Sequence, residues 1–304
     1  MHKSDFLISV VIPTYNQAVW LDEALDGLIK QTNSNFNVII SNNVSTDKTD
    51  EIVKKYMNKL NIIYKKESVF LDKTSNWNRA MHYSESKYTL LHHSDDILKE
   101  NTIEVLYKYI KKFPNIVLFH GSHSLISPSS KIIKTDSGLK FSYQYQAKHN
   151  LLNFICNISI VGVLFKTDNF LTVGAFDNKF QQLQDWDLYL KLIENESFMF
   201  IKETLGYWRV GKLSDSLHHL QNIETIKLLC STKNHIFKSL NINKTINQHL
   251  KFYEKNKLFK DEYVEVLKSL NIEIRNSILS KPIINNYIKL LKLFLIIKFK
   301  VGLK

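Results

Sequence analysis

The sequence predicts an α/β fold: a mainly parallel sheet flanked by helices, followed by a C-terminal helical extension. Short apolar runs alternate with amphipathic segments over the first 92 residues, which is typical of strand–helix–strand units with right-handed crossovers. An apolar content of 44% in 304 residues is enough for a sizeable core. We therefore expect an α/β domain over 1–215 and a basic helical region over 216–304.

The first two predicted strands enclose a helix. Residues 7–12 form an apolar run that ends at Pro13, which predicts a buried strand followed by a loop. Leucines at helical spacing predict a helix over about 21–29, with acidic residues in its first turn. The apolar residues 36–40 predict the second strand.

The next segments repeat this order. Ser45 or Thr46 can cap a second helix, because both side chains accept hydrogen bonds from the first turn. Residues 62–64 predict the third strand. A helix over about 75–84 then leads to a fourth strand over 88–92.

After about residue 116 the pattern becomes mixed. Short strands are expected at 116–120, 161–166 and 205–209, and a helix at about 186–195. The rest of the chain has the pattern of successive helices, the last of which opens at Pro282.

Three loops leave the carboxyl ends of the predicted parallel strands, at Pro13–Asn16, Asn42–Thr46 and His93–Asp96. Ligands of open α/β sheets bind beyond these ends. The convergence of the three loops therefore predicts one binding site at this edge of the sheet.

Two pairs of acidic residues supply candidate chemistry for that site. Asp95 and Asp96 offer the oxygen ligands that a divalent cation on a diphosphate requires. Asp185 and Asp187 flank a tryptophan, and one of them can serve as a base. Helix capping is the competing interpretation of both pairs. Together they favour transfer of a sugar from an activated nucleotide.

Several segments resemble, in order and spacing, the motifs of glycosyltransferase family 2 over roughly residues 7–216. They are Ser9–Asn16, Asn42–Thr49 (against Asp-Asp-Gly-Ser-Thr-Asp-Gly-Thr in the family), Asn76–Ala80, Ser94–Asp96, Gly174–Asp177, Gln184–Leu188 and Tyr207–Arg209.

The resemblance implies a GT-A (Rossmann-like) fold and an inverting mechanism. It implies that Asp185 is the general base and that Asp96 binds Mn²⁺ or Mg²⁺. It places Asp95 at the ribose or at metal-bound water. Tyr15, in the loop after the first strand, has two interpretations, stacking on the nucleotide base or simple packing within the protein. The residues that it implies for the nucleotide are Pro13, Tyr15, Asn42, Asn78 and Asp95.

Four of the positions that depart from the family pattern bear on the predicted site. Asn42 stands where the family usually has the aspartate that reads uracil, and its amide still offers an acceptor for the ring N–H. His93 stands where many members have another acid. Gln184 replaces a glutamate beside Asp185, the expected general base, and Gly211 stands where many members have a histidine after the arginine. Because of Asn42, the resemblance leaves open which nucleotide base is bound.

The formal net charge of +12 is concentrated near the C-terminal end. Residues 212–304 carry 17 Lys+Arg against 7 Asp+Glu, whereas residues 1–211 carry 24 against 22. A basic tail suits an anionic membrane surface, on which the last helix lies in the plane of the membrane or else packs on the catalytic domain. Without a secretory signal, and with only Cys156 and Cys230 as thiols, we expect a cytoplasmic protein that is peripheral on the cytosolic face of the inner membrane.

The expected function is an inverting, metal-dependent glycosyltransferase that moves a sugar from a UDP-sugar to a hydroxyl of a glycan or lipid-linked glycan. The expected setting is bacterial surface polysaccharide assembly, such as that of lipopolysaccharide. A sugar nucleotidyltransferase is one alternative, but the loop after the first strand lacks the glycines of such enzymes. A non-enzymatic basic nucleic-acid- or nucleotide-binding protein is another, but no nucleic-acid motif accompanies the basic tail, and no nucleic-acid partner is expected.

Overall fold

The structure, a computed structural model, describes residues 4–135, 158–193 and 197–211. Its strands are β1 (Ile8–Thr14), β2 (Asn37–Asn42), β3 (Ile62–Lys66), β4 (Tyr88–Leu91), β5 (Ile97–Leu98), β6 (Leu118–Ile126), β7 (Ile132–Lys134), β8 (Leu164–Lys166) and β9 (Phe198–Arg209). Its helices are α1 (Ala18–Ile29), α2 (Thr49–Tyr56), α3 (Lys73–His82), α4 (Thr102–Lys112), α5 (Thr167–Thr172) and α6 (Gln184–Ile193). Within these residues one sheet has the order β3-β2-β1-β4-β8-β6-β9-β5, with β7 beside β6.

The first four strands are parallel and confirm the predicted strand–helix alternation. β1 pairs with β2 on one side and with β4 on the other, and β2 pairs with β3. Every residue of β1 and β2 is buried. Such continuous burial is expected where helices cover both faces of a parallel sheet.

Pro13 lies inside β1, so the loop predicted to begin there begins only at Tyr15. The Val11 carbonyl accepts from the His92 N–H at 2.9 Å, which shows that the peptide groups of Val11 face β4. The nitrogen of Pro13, two residues on, turns the same way, and β4 ends at Leu91 before it can pair there. The missing N–H therefore costs the ladder no hydrogen bond.

The cap predicted for the second helix is wrong. α2 begins at Thr49, and Lys48 occupies the N-cap position without a side-chain hydrogen bond. Asp47 instead accepts from the Thr49 N–H at 3.1 Å. Ser45 and Thr46 are hydrogen-bonded to the loop after β1, which gives them a different role.

Beyond β4 the sheet is mixed, in agreement with the mixed pattern of the sequence. β8 runs antiparallel between β4 and β6, β9 is parallel to β6, and β5 is antiparallel to β9. β9 begins seven residues before the strand expected at 205–209, because it pairs with β6 along almost its whole length. α6 begins two residues before the helix expected at 186–195.

A continuous apolar core joins the sheet to α1 and α4. It contains fully buried side chains from each of these elements, for example Val10, Leu25, Ile40, Leu90 and Leu106. Burying one such side chain contributes about 1.5–3 kcal/mol. The loops at the carboxyl ends of the strands therefore extend from a well-packed apolar core.

Some predictions fall outside the described residues. These are the domain boundary at 215, the helical region 216–304 with its last helix from Pro282, and the state of both cysteines. The two-domain arrangement stays a prediction. Over the described ranges, none of the helices combines the length and the apolar character that a membrane span requires.

Candidate functional site

Hydrogen bonds join the loops that follow β1, β2 and β4. The Asn16 N–H donates to Ser45 Oγ at 3.0 Å, and the Thr46 N–H donates to Asn16 Oδ1 at 2.8 Å. The Ser94 hydroxyl donates to Gln17 Oε1 at 2.7 Å. The three loops therefore meet at one edge of the sheet, as the sequence predicts.

Asn42 ends β2 with its side chain fully buried. Its Nδ2 group donates to Asp50 Oδ1 at 3.0 Å and to Tyr64 Oη at 2.7 Å, and its Oδ1 accepts from the Ser45 N–H at 2.9 Å. Burial and the neighbouring Asp50 raise the pKa of Tyr64 to about 12, and Lys66 and Tyr64 lower the pKa of Asp50. Asn42 thus orders the loop, and its contact with the nucleotide base stays a prediction.

Asn43 and Arg79 fix the same loop from the other side. The Asn43 side chain exchanges hydrogen bonds with the Leu71 backbone, at 3.0 Å from N–H to Oδ1 and 2.8 Å from Nδ2 to O. Arg79 Nη2 donates to Asn43 Oδ1 at 2.8 Å, and Nη1 donates to the Val69 carbonyl at 2.9 Å. Asn43 and Arg79 both lie in segments that match the family motifs. Their spacing in the sequence does not reveal that they join the loop after β2 to the segment before α3.

Val44 holds an unusual backbone conformation in this loop, with φ at +63°. A β-branched residue in the left-handed region costs about 1–2 kcal/mol. The family segment has glycine at this position, which is the sequence signal for the strain. The hydrogen bonds of Asn42 and Asn43 on its N-terminal side hold the conformation in place.

Tyr15 lies beside Phe70 at the outer edge of these loops. The two rings meet edge to face with centroids 4.9 Å apart, and the side chains are 45% and 56% exposed. Exposed aromatic faces are suited to stacking on a planar ligand. Stacking of Tyr15 on the base stays a prediction, and Phe70 is a residue that the sequence pattern missed.

Asp95 and Asp96 do not cap a helix. The residues that follow them form β5, which pairs with β9, so the capping interpretation of this pair is wrong. Asp96 is only 2% exposed, and its Oδ1 accepts from the Arg209 N–H at 2.9 Å. The close pairing of β5 with β9 requires a glycine at Gly206, since a Cβ there would lie 2.7 Å from the Ile97 carbonyl oxygen.

His93 completes a cluster with the two acids. Each of His93, Asp95 and Asp96 offers one donor atom, and these atoms lie within 4.8 Å of one another. Trp77 packs on the His93 ring with centroids 4.6 Å apart. The distance from His93 Nδ1 to Asp96 Oδ2 is 3.7 Å, too long for a hydrogen bond.

The negative charge of this cluster is only partly compensated by neighbouring positive charges. Burial and then the charge of Asp95 raise the pKa of Asp96 well above its usual value. Burial lowers the pKa of His93. Among the described residues no lysine or arginine forms an ion pair with either acid, and His93 Nε2 is buried without a hydrogen-bond partner. Two carboxylates and an imidazole in this state fit a divalent cation.

α3 links the acidic loop to the segment before α6. Asn78 Nδ2 donates to the Phe176 carbonyl at 2.8 Å, and its Oδ1 accepts from the Phe176 N–H at 3.0 Å. Trp77 meets Phe176 edge to face at 5.6 Å while it packs on His93. The described role of Asn78 is therefore to hold this segment, and its nucleotide contact stays a prediction.

Asp185 is half-buried in the first turn of α6, and its Oδ1 accepts from the Trp186 N–H at 2.8 Å. Asp187 is buried and forms an ion pair with Lys191 at 2.5 Å. Burial raises the pKa of Asp187, and Lys191 opposes this rise. Asp187 therefore braces the helix, whereas the role of Asp185 as a base stays a prediction.

Arg209 is buried and structural in this arrangement. Its Nη2 pairs with Glu23 Oε2 at 2.8 Å, its Nε donates to the Asp95 carbonyl at 2.7 Å, and its Nη1 donates to Ser130 Oγ at 2.8 Å. These contacts make Arg209 part of a structural ion pair.

A cavity of about 580 Å³ lies elsewhere, between α1 and β5. Gly27, Lys30, Ile97 and Tyr207 are among its lining residues, which include none of the predicted site residues. This cavity is therefore not the site to which the acids and loops belong.

Known proteins resemble this chain over the same region. A family model described as "Glycosyl transferase family 2" matches residues 9–161. An uncharacterized glycosyltransferase of Rickettsia typhi is 28% identical over 236 residues, which are 74% of this chain and 70% of that protein. The abequosyltransferase RfbV of Salmonella typhimurium is 34% identical over 116 residues, which are 37% of this chain and 35% of that protein.

Solved structures share the fold. Residues 1–349 of Staphylococcus aureus TarS, in complex with UDP-GlcNAc, superpose with a TM-score of 0.67 at 18% identity, covering 88% of this chain and 80% of that one. A mannosyltransferase of Pyrobaculum calidifontis, in complex with GDP-Man and Mn²⁺, gives a TM-score of 0.51 at 16% identity, covering 75% and 63%. At these identities the likeness shows the fold alone.

The family match spans half of the 304 residues, and the sheet and its flanking helices are those of the solved neighbours. The chain belongs to glycosyltransferase family 2 and is a glycosyltransferase with a GT-A fold.

Proposed function

We propose that this enzyme transfers a sugar from a nucleotide-sugar, with UDP as the nucleotide, to a hydroxyl of a glycan or lipid-linked glycan. The main observation in support of this proposal is the cluster of His93, Asp95 and Asp96, in a loop that hydrogen bonds connect to the loops after β1 and β2. A nucleoside diphosphate needs a pocket for base and ribose next to a cation site. The UDP-GlcNAc complex of TarS supports UDP as the nucleotide.

Asp96 would hold Mn²⁺ or Mg²⁺ beside the diphosphate, and Asp95 would contact the ribose or a water molecule bound to the ion. The ion would neutralise the charge that develops on the departing nucleotide. The buried Asp96, whose carboxylate forms no direct ion pair with a lysine or arginine among the described residues, is the reason to expect this dependence on metal. The mannosyltransferase complex with Mn²⁺ is consistent with it.

Asp185 would take the proton from the acceptor hydroxyl as that oxygen attacks the anomeric carbon. A carboxylate can act as a base in such a transfer when it reaches the hydroxyl directly. Asp187 is buried, whereas Asp185 is only half-buried, so Asp185 is the better placed of the two to meet an acceptor hydroxyl. Attack from the face opposite the nucleotide would invert the anomeric centre, as the family resemblance implies.

The nucleotide would lie over the loops after β1 and β2. Tyr15 would stack on the base, and Pro13 would end the strand that carries it. Asn42 would contribute to nucleotide binding chiefly by ordering the loop after β2. Asn78 would contribute by holding the segment around Phe176 against α3.

We place the acceptor at a membrane, in bacterial surface polysaccharide assembly such as that of lipopolysaccharide. The support is the excess of positive charge in residues 212–304, which suits the cytosolic face of the inner membrane. Removal of residues 281–304 should release the protein from anionic vesicles and leave donor hydrolysis intact. Undiminished vesicle binding of the shortened chain would refute this placement.

A thermal-shift screen of nucleoside diphosphates and nucleotide-sugars, with and without Mn²⁺, tests the donor class. We expect UDP and UDP-sugars to stabilise the protein most, and only with the metal. Release of pyrophosphate from a nucleoside triphosphate and a sugar phosphate would instead indicate the nucleotidyltransferase alternative.

A pair of matched variants tests the base. Asp185→Asn should keep UDP-sugar binding and lose transfer, whereas Asp187→Asn should keep transfer but lower stability, because Lys191 loses its partner. Transfer by Asp185→Asn at the wild-type rate would move the base to another residue.

A further inference from the structure

The candidate cation site contains one imidazole, that of His93, beside the two carboxylates of Asp95 and Asp96. His93 stands three residues before Asp96, and its ring reaches the two carboxylates closely enough for all three to bind one ion. The ring is 20% exposed, so it has limited freedom to turn away.

The position of the His93 ring is fixed by aromatic packing and by no hydrogen bond to the acids. Trp77 covers it at 4.6 Å between centroids, and Trp77 is in turn held against Phe176 at 5.6 Å. The gap of 3.7 Å between Nδ1 and Asp96 Oδ2 leaves both groups free of a mutual hydrogen bond. Nε2 is buried without a hydrogen-bond partner among the described residues. The ring nitrogen that lies near Asp96 is Nδ1, and with no hydrogen bond between the two groups an ion bound by Asp96 can also take Nδ1 as a ligand.

We infer that His93 supplies a nitrogen ligand to the divalent cation, so that the site selects Mn²⁺ over Mg²⁺. This inference rests on the proposed function, since it concerns the same metal site. Mg²⁺ prefers oxygen ligands at short distances, whereas imidazole nitrogen is a common ligand of transition-metal ions. His93 therefore decides which of the two candidate ions the enzyme uses.

Spin-echo EPR of the full-length protein with Mn²⁺ and UDP tests the inference without relying on turnover. The expected result is a coupling from a directly bound ¹⁴N nucleus, which changes to that of ¹⁵N when the histidines are labelled. His93→Asp should abolish the coupling. His82→Asn, which replaces an exposed histidine of α3 outside the cluster, should leave it unchanged.

Calorimetric titration of the same proteins with Mn²⁺ and with Mg²⁺, both in the presence of UDP, gives the selectivity. Loss of a ligand or of its orientation costs about 10–100-fold in metal affinity. We expect His93→Asp to lower the ratio of Mn²⁺ to Mg²⁺ affinity by about tenfold, since it creates an all-oxygen site.

Two outcomes would overturn the inference. Bound Mn²⁺ without nitrogen coupling, or a selectivity ratio unchanged in His93→Asp, would remove His93 from the metal while leaving the metal-dependent function standing. Absence of any Mn²⁺ binding in the presence of UDP would overturn both the inference and the proposed metal dependence.

Discussion

The loop after β2 and the loop after β4 lie at the same edge of the sheet but are stabilised in opposite ways. In the first, the amides of Asn42 and Asn43 have their partners within the protein. In the second, Asp96 is buried beside Asp95 with one backbone N–H as its hydrogen-bond donor. A buried carboxylate costs free energy unless it is compensated. The loop after β2 is therefore complete in the free protein, whereas the loop after β4 contains a buried carboxylate that a bound cation would compensate.

The largest expected effect comes from Asp96→Asn. Transfer should fall by about 10³-fold or more if the metal is lost with the carboxylate. The metal-free protein should nevertheless become more stable, by about 1–2 kcal/mol, because a neutral amide replaces a buried carboxylate and can still accept from the Arg209 N–H.

Thermal unfolding of wild type and Asp96→Asn, in chelator and in Mn²⁺ with UDP, measures both effects. The wild type should gain stability from the metal and nucleotide, and the variant should not. A variant that is less stable than wild type in chelator would contradict the description of this loop as undercompensated.

The second effect concerns the loop that is complete. Asn43→Ala removes three hydrogen bonds and leaves Arg79 Nη2 and the Leu71 backbone without this partner. We expect the free energy of unfolding to fall by about 2–4 kcal/mol, because unsatisfied buried groups carry their full desolvation cost. Urea denaturation measures the change, with Asn33→Ala, which removes one exposed hydrogen bond from the Asn35 N–H, as the control. Equal stability of the two variants would show that the Asn43 bonds contribute little.

A third effect appears in the pH dependence of stability. Burial lowers the pKa of His120 to about 3, well below its value of about 6.5 in the unfolded chain. Between these values the unfolded state binds a proton that the native state does not. Stability should therefore fall as the pH decreases below 6.5, by up to about 1.4 kcal/mol per unit from this residue.

Urea denaturation of wild type and His120→Leu from pH 7 to pH 4.5 tests this expectation. The stability of the variant should decline less steeply with decreasing pH. Parallel curves for the two proteins would mean that His120 takes up its proton in the native state.

The smallest effect concerns Val44. Val44→Gly should raise stability by about 0.5 kcal/mol, since relief of about 1–2 kcal/mol of left-handed strain outweighs about 0.5–1 kcal/mol of added chain entropy. Differential scanning calorimetry measures the shift in Tm. A lower Tm for the glycine variant would show that the Val44 side chain contributes more by packing than its backbone conformation costs.

The sequence predicts the order of the elements better than it predicts their ends. The alternation of apolar runs and helical periods is local, so the parallel strands β1 to β4 were predictable. The extension of β1 through Pro13 depends on where β4 ends, and the length of β9 depends on its pairing with β6. Such information lies in partner strands that are distant in the sequence.

The candidate site was predictable as a meeting of loops, but individual roles were not. Motif order indicated that the loops with Asn16, Ser45 and Asp96 belong together, and hydrogen bonds join them. Whether an amide such as Asn78 faces a ligand or a backbone segment depends on contacts 98 residues away. The sequence likewise allowed a helix after Asp96, where the antiparallel pairing with β9 produces a strand.

Calorimetric titration of UDP into the full-length protein, in Mn²⁺ and in chelator, tests the central claim most directly. If the loop after β4 holds a cation against the diphosphate, UDP should bind tightly in Mn²⁺, weakly in chelator, and weakly in both conditions to Asp96→Asn. Equal UDP affinity of the wild-type protein with and without the metal would contradict the account.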